Sequence, residues 1–164
     1  MPHVTSHAWA TKLNANDSTQ KEELGILRTE WNTTDACFKT YKYVSVAADT
    51  TVANGTALTY TDTLGHVASS DISDGDINQV AGVGTGAITA SYYGWIQVKG
   101  YHSAVLTNGD DDIADGDSII LDSSTNGTVN STASGTAPVS TLVGVAVAAD
   151  VDASDTVATM LLIA

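Results

Sequence analysis

Residues 52–68 read VANGTALTYTDTLGHVA and residues 113–130 read IADGDSIILDSSTNGTVN, one pattern written twice about 62 residues apart. Val52, Ala53, Asn54, Gly55 and Leu58 align with Ile113, Ala114, Asp115, Gly116 and Ile119. One inserted residue then brings Gly65 onto Gly127, and VAGVG around Gly82 falls on VGVAV around Gly144. Self-similarity at a fixed period means one supersecondary unit built twice. Each copy reads as a turn, a strand, a glycine turn, a second strand, and an apolar strand broken by glycine. Asn-Gly and Asp-Gly supply the left-handed backbone of tight turns, and the β-branched residues between them suit strands.

Outward from the repeat, alternation of apolar and polar residues predicts strands at about 24–31, 37–47, 56–61, 66–69, 79–84, 86–91, 93–99, 102–107, 118–122, 141–149 and 155–164. Gly100 is expected to end the strand YGWIQVK, and residues 123–138, SSTNGTVNSTASGTAP, to form a long polar loop. The segments 141–149 and 155–164 are the most apolar and are expected at the centre of the core. Thr19 and Glu22 have capping-box spacing, so a short helix over 19–30 is the competing reading, with Gly25 against it. Residues 1–22 are polar and aperiodic and read as an extended arm or tail. Short strands at this spacing predict an all-β fold, a small sandwich or barrel of antiparallel strands with an internal two-fold repeat behind an N-terminal arm. The organisation expected is an arm and leading strand over 1–35 and a β-domain over 36–164, with half-repeats at about 43–100 and 101–164.

The charge is divided as unevenly as the pattern is regular. Residues 1–42 carry five Lys or Arg against five Asp or Glu; residues 43–164 carry Lys99 alone against fourteen Asp. The whole formal charge of −13 therefore sits on the repeat region. A surface of that sign repels nucleic acid and anionic lipid and favours solubility at high local concentration. No stretch approaches the ~18 apolar residues of a membrane span, and the start MPHVTSHAWATK lacks the pattern of a signal peptide. Cys37 is the single cysteine, so no disulfide within the chain is expected.

Chemistry-bearing groupings are sparse. Asp110, Asp111, Asp112, Asp115 and Asp117 cluster in one turn, but Ala114 interrupts the alternation a calcium loop needs and no Glu closes it. A solvated acidic turn is the expectation. His3, His7, His66 and His102 lie at no zinc spacing. GVGTGAI at 82–88 precedes no expected helix and has no nearby Lys, against phosphate binding. Glu occurs only at 22, 23 and 30, which leaves the β-domain few acid–base options. No enzyme activity, cofactor or metal is expected. Trp95, with Tyr92, Tyr93 and Tyr101, reads as core packing, with a sugar platform or a subunit interface as alternatives. Trp9 sits on the arm, where a large apolar side chain needs a surface to cover it.

Residues Glu23-Leu24-Gly25, Tyr41-Lys42-Tyr43-Val44 and Val52 to Leu58, followed by WIQVKG, IADGDSIIL, LVGVAVAA and VATMLLIA, resemble a pattern that recurs in tailed-phage virion proteins. The resemblance spans most of residues 23–164 and implies a head decoration, or cement, protein. Such a protein is a small all-β chain, commonly a homotrimer, that binds the major capsid protein on the exterior of an expanded capsid and stabilises the shell. The arm has no counterpart in the pattern, and a tandem half-repeat also suits a minor fibre or spike component. A carbohydrate-binding β-sandwich is the alternative from a different class. Partner contact is expected from Val4, His7, Trp9, Lys12, Leu13 and Trp31, with removal of residues 1–22 leaving the β-domain folded.

Overall fold

The computed structural model describes residues 9–71, 79–109, 113–132, 141–149 and 155–163. Its regular elements are all strands: β1 (Leu27–Asn32), β2 (Cys37–Val46), β3 (Ala57–Asp62), β4 (Val67–Ser69), β5 (Val80–Gly84), β6 (Tyr93–Leu106), β7 (Ser118–Leu121), β8 (Val129–Thr132), β9 (Leu142–Ala146) and β10 (Thr156–Leu162). They form one mixed sheet in the order β1-β2-β4-β3-β5-β6-β10-β9-β7-β8, with a further β2–β6 pairing. That pairing closes β2, β4, β3, β5 and the first half of β6 into a ring. The second half of β6 continues through β10, β9, β7 and β8, and a parallel bridge from Thr107 to Val129 closes a second ring.

The two rings repeat one another in register as well as in order. Ala57, Leu58 and Thr59 face Val83, Gly82 and Val80, with a shift after the second pair. Ser118, Ile119 and Ile120 face Val145, Gly144 and Leu142 with the same shift. The parallel contact Val46–Ala68 in the first ring has its counterpart in Thr107–Val129. Backbone bonds follow. Gly84 donates to the Thr56 carbonyl at 2.8 Å, and Ala146 to the Asp117 carbonyl at 2.9 Å. Tyr60 donates to Gln79 at 3.1 Å, and Leu121 to Thr141 at 3.2 Å.

Each unit is launched by the turn the sequence pattern marks. Gly55 and Gly116 hold φ of 84° and 88°, a region that side chains with a Cβ rarely enter. The turns are then fastened by side chains of different chemistry. The Ala53 N–H donates to Thr56 Oγ1 at 3.0 Å, and the Ala114 N–H to Asp117 Oδ2 at 2.9 Å. In the following glycine turn the left-handed residue of the first unit is His66, φ 50°, and not Gly65; its counterpart is Gly127, φ 75°. No residue is inserted at this turn: Tyr60 opposite Ala68 matches Leu121 opposite Val129, and the extra residue of the second unit enters between Asn130 and Thr141.

Four further expectations are corrected. Gly100 does not end a strand. With φ 92° it bends β6, and a Cβ there would fall onto the Phe38 carbonyl oxygen. Residues 93–99 and 102–107 thus belong to one long strand shared by both rings. The polar loop expected over 123–138 contains β8, whose single deeply buried side chain, Val129, left no alternation to read. Residues 86–91 form no strand; Ile88 makes only an isolated bridge to Val52. Finally, β9 and β10 are not central on both faces. Val157, Leu161 and Ile163 point into the second ring, while Leu162 is 53% exposed.

Val44, Val46, Val52, Leu58, Tyr60, Ala68, Ala81, Ile88 and Ile96 fill the first ring. The second core is aliphatic, built around Val105, Ile113, Ile119, Val129, Val143 and Leu161. It also takes in Ala57, Val80 and Val83, from the outer side of the first ring. The rings therefore share buried surface, and each fully buried aliphatic side chain there contributes roughly 1.5–3 kcal/mol.

Candidate functional site

What distinguishes the first ring from the second is an added outer layer. Tyr41, Tyr43 and Trp95 stand on its outside face as neighbours across β2 and β6, and Tyr93 lies alongside. Residues 9–26 run over them. Trp9 meets Trp95 edge-to-face with centroids 5.2 Å apart, and Leu13, Leu24 and Ile26 pack on the same group. The Arg28 guanidinium sits 5.3 Å from the Trp9 ring centre and 5.7 Å from that of Trp95. Such contacts favour a cation because the ring face is electron-rich.

Polar bonds fix the path of this covering segment. The Trp95 indole N–H donates to Thr11 Oγ1 at 2.8 Å, and Arg28 donates to the Thr11 carbonyl at 2.9 Å. Glu22 Oε1 accepts from the Ala10 and Thr11 N–H groups at 2.6 and 3.1 Å. Asn16 and Thr89 exchange two bonds of 3.0 Å, and Asp17 pairs with Tyr93 in an antiparallel bridge. From residue 9 onward, the segment read as an arm lies along its own ring. Trp95 is 1% exposed beneath it, which leaves no ring face for a sugar to stack on.

The expected contact residues thus separate. Val4 and His7 lie outside the described residues. Trp9 and Leu13 are turned inward onto the aromatic group. Lys12 is exposed, as is Lys21 nearby. Trp31 is apart from them on β1, 53% exposed and edge-to-face with Phe38 at 5.0 Å. Leu27 and Phe38, exposed by 54% and 65%, share its surroundings and were not singled out in the sequence. Leu27 and Trp31 share one face of β1 on either side of Thr29, and Phe38 joins them from β2 opposite Trp31.

Charge follows the same division. Lys12 and Lys21 belong to the covering segment, and Arg28, Lys39 and Lys42 to β1 and β2. Lys99, isolated in the sequence, stands opposite Thr40 of β2. All six basic residues are therefore gathered on the first ring, its cover and the seam. Beyond Lys99 the chain has no Lys or Arg. Arg28 is paired locally with Glu30, and Lys39 with Asp35.

A polar cleft of about 160 Å³ opens at the seam between the rings, lined by Lys39, Tyr41, Asn54, Gln97, His102 and Ser103 among others. His102 accepts from the Ala104 N–H through Nδ1, which assigns the ring proton to Nε2, 3.2 Å from the Gly84 carbonyl. Burial pushes its pKa below the usual histidine value, and the nearby Lys39 adds to this against the Gly84 bond. Burial likewise raises the Tyr41 phenol, helped by Glu30. Gln97 donates to the Lys99, Gly100 and Tyr101 carbonyls at 3.0–3.2 Å and so holds the bend in β6. Both His102 nitrogens are engaged, so this histidine ties the strands at the cleft together.

Asp110, Asp111 and Asp112 lie outside the described residues. Asp117 caps its own turn, and among the described residues no three His, Cys, Asp or Glu side chains gather around a common point. No protein-family model matches the chain, and no curated protein matches its sequence.

Proposed function

We propose that this protein is a structural component of a tailed-phage virion, a head decoration protein that binds the outside of the capsid and stabilises the shell. The reading rests on the resemblance of residues 23–164 to that class. The observation that carries it furthest is the division of charge between two rings of one design. The first ring, with β1, bears the covering segment, the exposed Lys12 and Lys21, and Arg28, Lys39 and Lys42, while Lys99 stands at the seam. Beyond the seam the second ring bears acidic residues and none that are basic. A duplicated unit with one decorated side suits a protein that docks by one end and presents the other to solvent.

In this account the first ring and its cover face the capsid, and the acidic second ring faces outward. A protein that binds only the assembled lattice stabilises it by linkage, since each bound copy lowers the free energy of the intact shell alone. Many copies act at once, so modest affinity per copy suffices. The protein works as a homo-oligomer, a trimer if the resemblance extends to assembly.

Quantitative mass spectrometry of purified phage particles carrying this gene tests the reading. The expected result is abundance of the same order as the major capsid protein. Absence from particles, or a handful of copies at the tail, contradicts it.

A further inference from the structure

β1 is the open edge of the sheet among the described strands, and its sequence is complementary to itself. Among the described residues it pairs with β2 on one side and with no strand on the other. Its register sets Leu27 against Lys42, Thr29 against Thr40 and Trp31 against Phe38. One residue before β1, the Ile26 carbonyl accepts from the Tyr43 N–H at 3.1 Å. Backbone bonding in an antiparallel ladder alternates. Arg28, Glu30 and Asn32 therefore direct their backbone groups toward β2, and Leu27, Thr29 and Trp31 direct theirs outward.

An exposed edge of this kind is a template for another strand. Read in both directions from Thr29, β1 runs apolar, charged, Thr, charged, apolar, with the two charges opposite in sign. We propose that β1 is a self-pairing edge whose occupant is β1 of a second copy of this chain, antiparallel, about a two-fold axis at Thr29. Leu27 then faces Trp31 of the other copy, and Thr29 faces its own counterpart. Arg28 faces the other copy's Glu30. The outward backbone groups of Leu27, Thr29 and Trp31 are the ones such a pair uses, so the ladder continues without disturbing β2. Charged pairs directly opposite one another favour the antiparallel arrangement, whereas a parallel one would set Arg28 against Arg28.

The side chains support the same occupant. Leu27, Trp31 and Phe38 are each more than half exposed on one face of β1 and β2. In the paired sheet they form two rows, Phe38 and Trp31 beside the other copy's Leu27, repeated across the axis. A two-fold contact is isologous, the same patch used by both copies. It leaves the covering segment free and is compatible with a threefold cluster formed elsewhere on the molecule. The inference rests on β1 alone and stands apart from the capsid reading.

Sedimentation of the full chain from low to high micromolar concentration tests it, beside Thr29→Pro and, in a Cys37→Ser background, Thr29→Cys. Thr29→Pro removes an outward N–H on an edge strand, a position where proline is tolerated. The expected result is a reversible doubling of mass for the wild type and none for Thr29→Pro with an unchanged near-ultraviolet spectrum. Paired residues at the axis lie about 5.5 Å apart at Cα, within the range of a disulfide. Thr29→Cys is therefore expected to cross-link the majority of the chain on mild oxidation, while Thr33→Cys, in the turn, stays uncrosslinked. Should Thr29→Pro fail to fold, the cysteine pair decides alone. A wild-type mass that stays undoubled and equal to that of Thr29→Pro throughout, a doubling that persists in folded Thr29→Pro, or Thr29→Cys that does not cross-link would each overturn the proposal.

Discussion

The two rings are the same construction under different cover. Their pairings match through the turn, the shifted ladder and the parallel closure. Yet the parallel closure has two pairs in the first, between β2 and β4, and one bridge in the second. The first wears an aromatic layer and a covering segment. The corresponding ladder of the second, β6 with β10, sets Val105 against Val157 and Leu106 against Thr156, with no aromatic layer over it among the described residues. Backbone geometry has been kept where both copies need it, and the side chains that differ are those of the outer surface. Function is best sought in what was added to one copy, and stability in what both share.

The largest effect is expected at the added layer. Trp95→Ala removes a buried indole, its bond to Thr11 and the seat of Trp9 and Arg28. A loss of about 3–5 kcal/mol is expected, read by denaturant unfolding. Because the second core includes Ala57, Val80 and Val83 of the first ring, both rings should unfold in one transition. Two separated transitions would break the picture of a shared core. The same layer revises the expectation for truncation. Removing residues 1–22 takes Trp9 and Leu13 off Trp95 and Tyr43, so it is expected to destabilise the ring. Charge reversal of Lys12 and Lys21 is the cleaner probe of docking.

The turn glycines allow a more direct comparison. Gly55 and Gly116 hold the same left-handed conformation. A Cβ at Gly55 would strike the Ala104 carbonyl, whereas one at Gly116 meets nothing within 4 Å. Gly116→Ala is expected to cost about 1–2 kcal/mol from the backbone alone. Gly55→Ala adds an overpacking cost of about 1–3 kcal/mol. Equal midpoints in thermal or urea unfolding would contradict the difference in surroundings.

A smaller effect is expected from pH. His102 has a folded-state pKa below the usual value because burial disfavours its charged form. The unfolded chain therefore takes up the proton more readily. Stability is full above about pH 6.5 and declines as pH falls through that value toward the lower folded-state pKa. His102→Gln is expected to flatten that part of the profile, measured by urea unfolding at a series of pH values. The smallest differences should lie in the turn caps. Thr56→Ala and Asp117→Ala each remove one bond to a backbone N–H, worth about 0.5–1.5 kcal/mol, and should be alike if the turns are equivalent.

The all-β class and the repeat were legible because glycine turns and β-branched runs leave a pattern that survives divergence. Most strands followed from it. β8 was not, since Val-Asn-Ser-Thr buries one deep side chain and reads as a polar loop. The continuity of β6 was hidden by Gly100, a residue type that more often ends strands than bends them. The contact residues were harder still. Trp9 was recognised as needing a surface, but its spacing cannot say that the surface is its own chain's Trp95, more than eighty residues away. Leu27, Trp31 and Phe38 become a patch only once the register of β1 on β2 is known.

Hydrogen exchange of the particle-bound protein against the free protein tests the central claim most directly, that docking belongs to the decorated ring and its plain copy faces solvent. The account predicts slowed exchange across residues 9–26 on binding, with residues 118–132 unchanged. Protection gained at residues 118–132, with 9–26 exchanging as in the free protein, would contradict it.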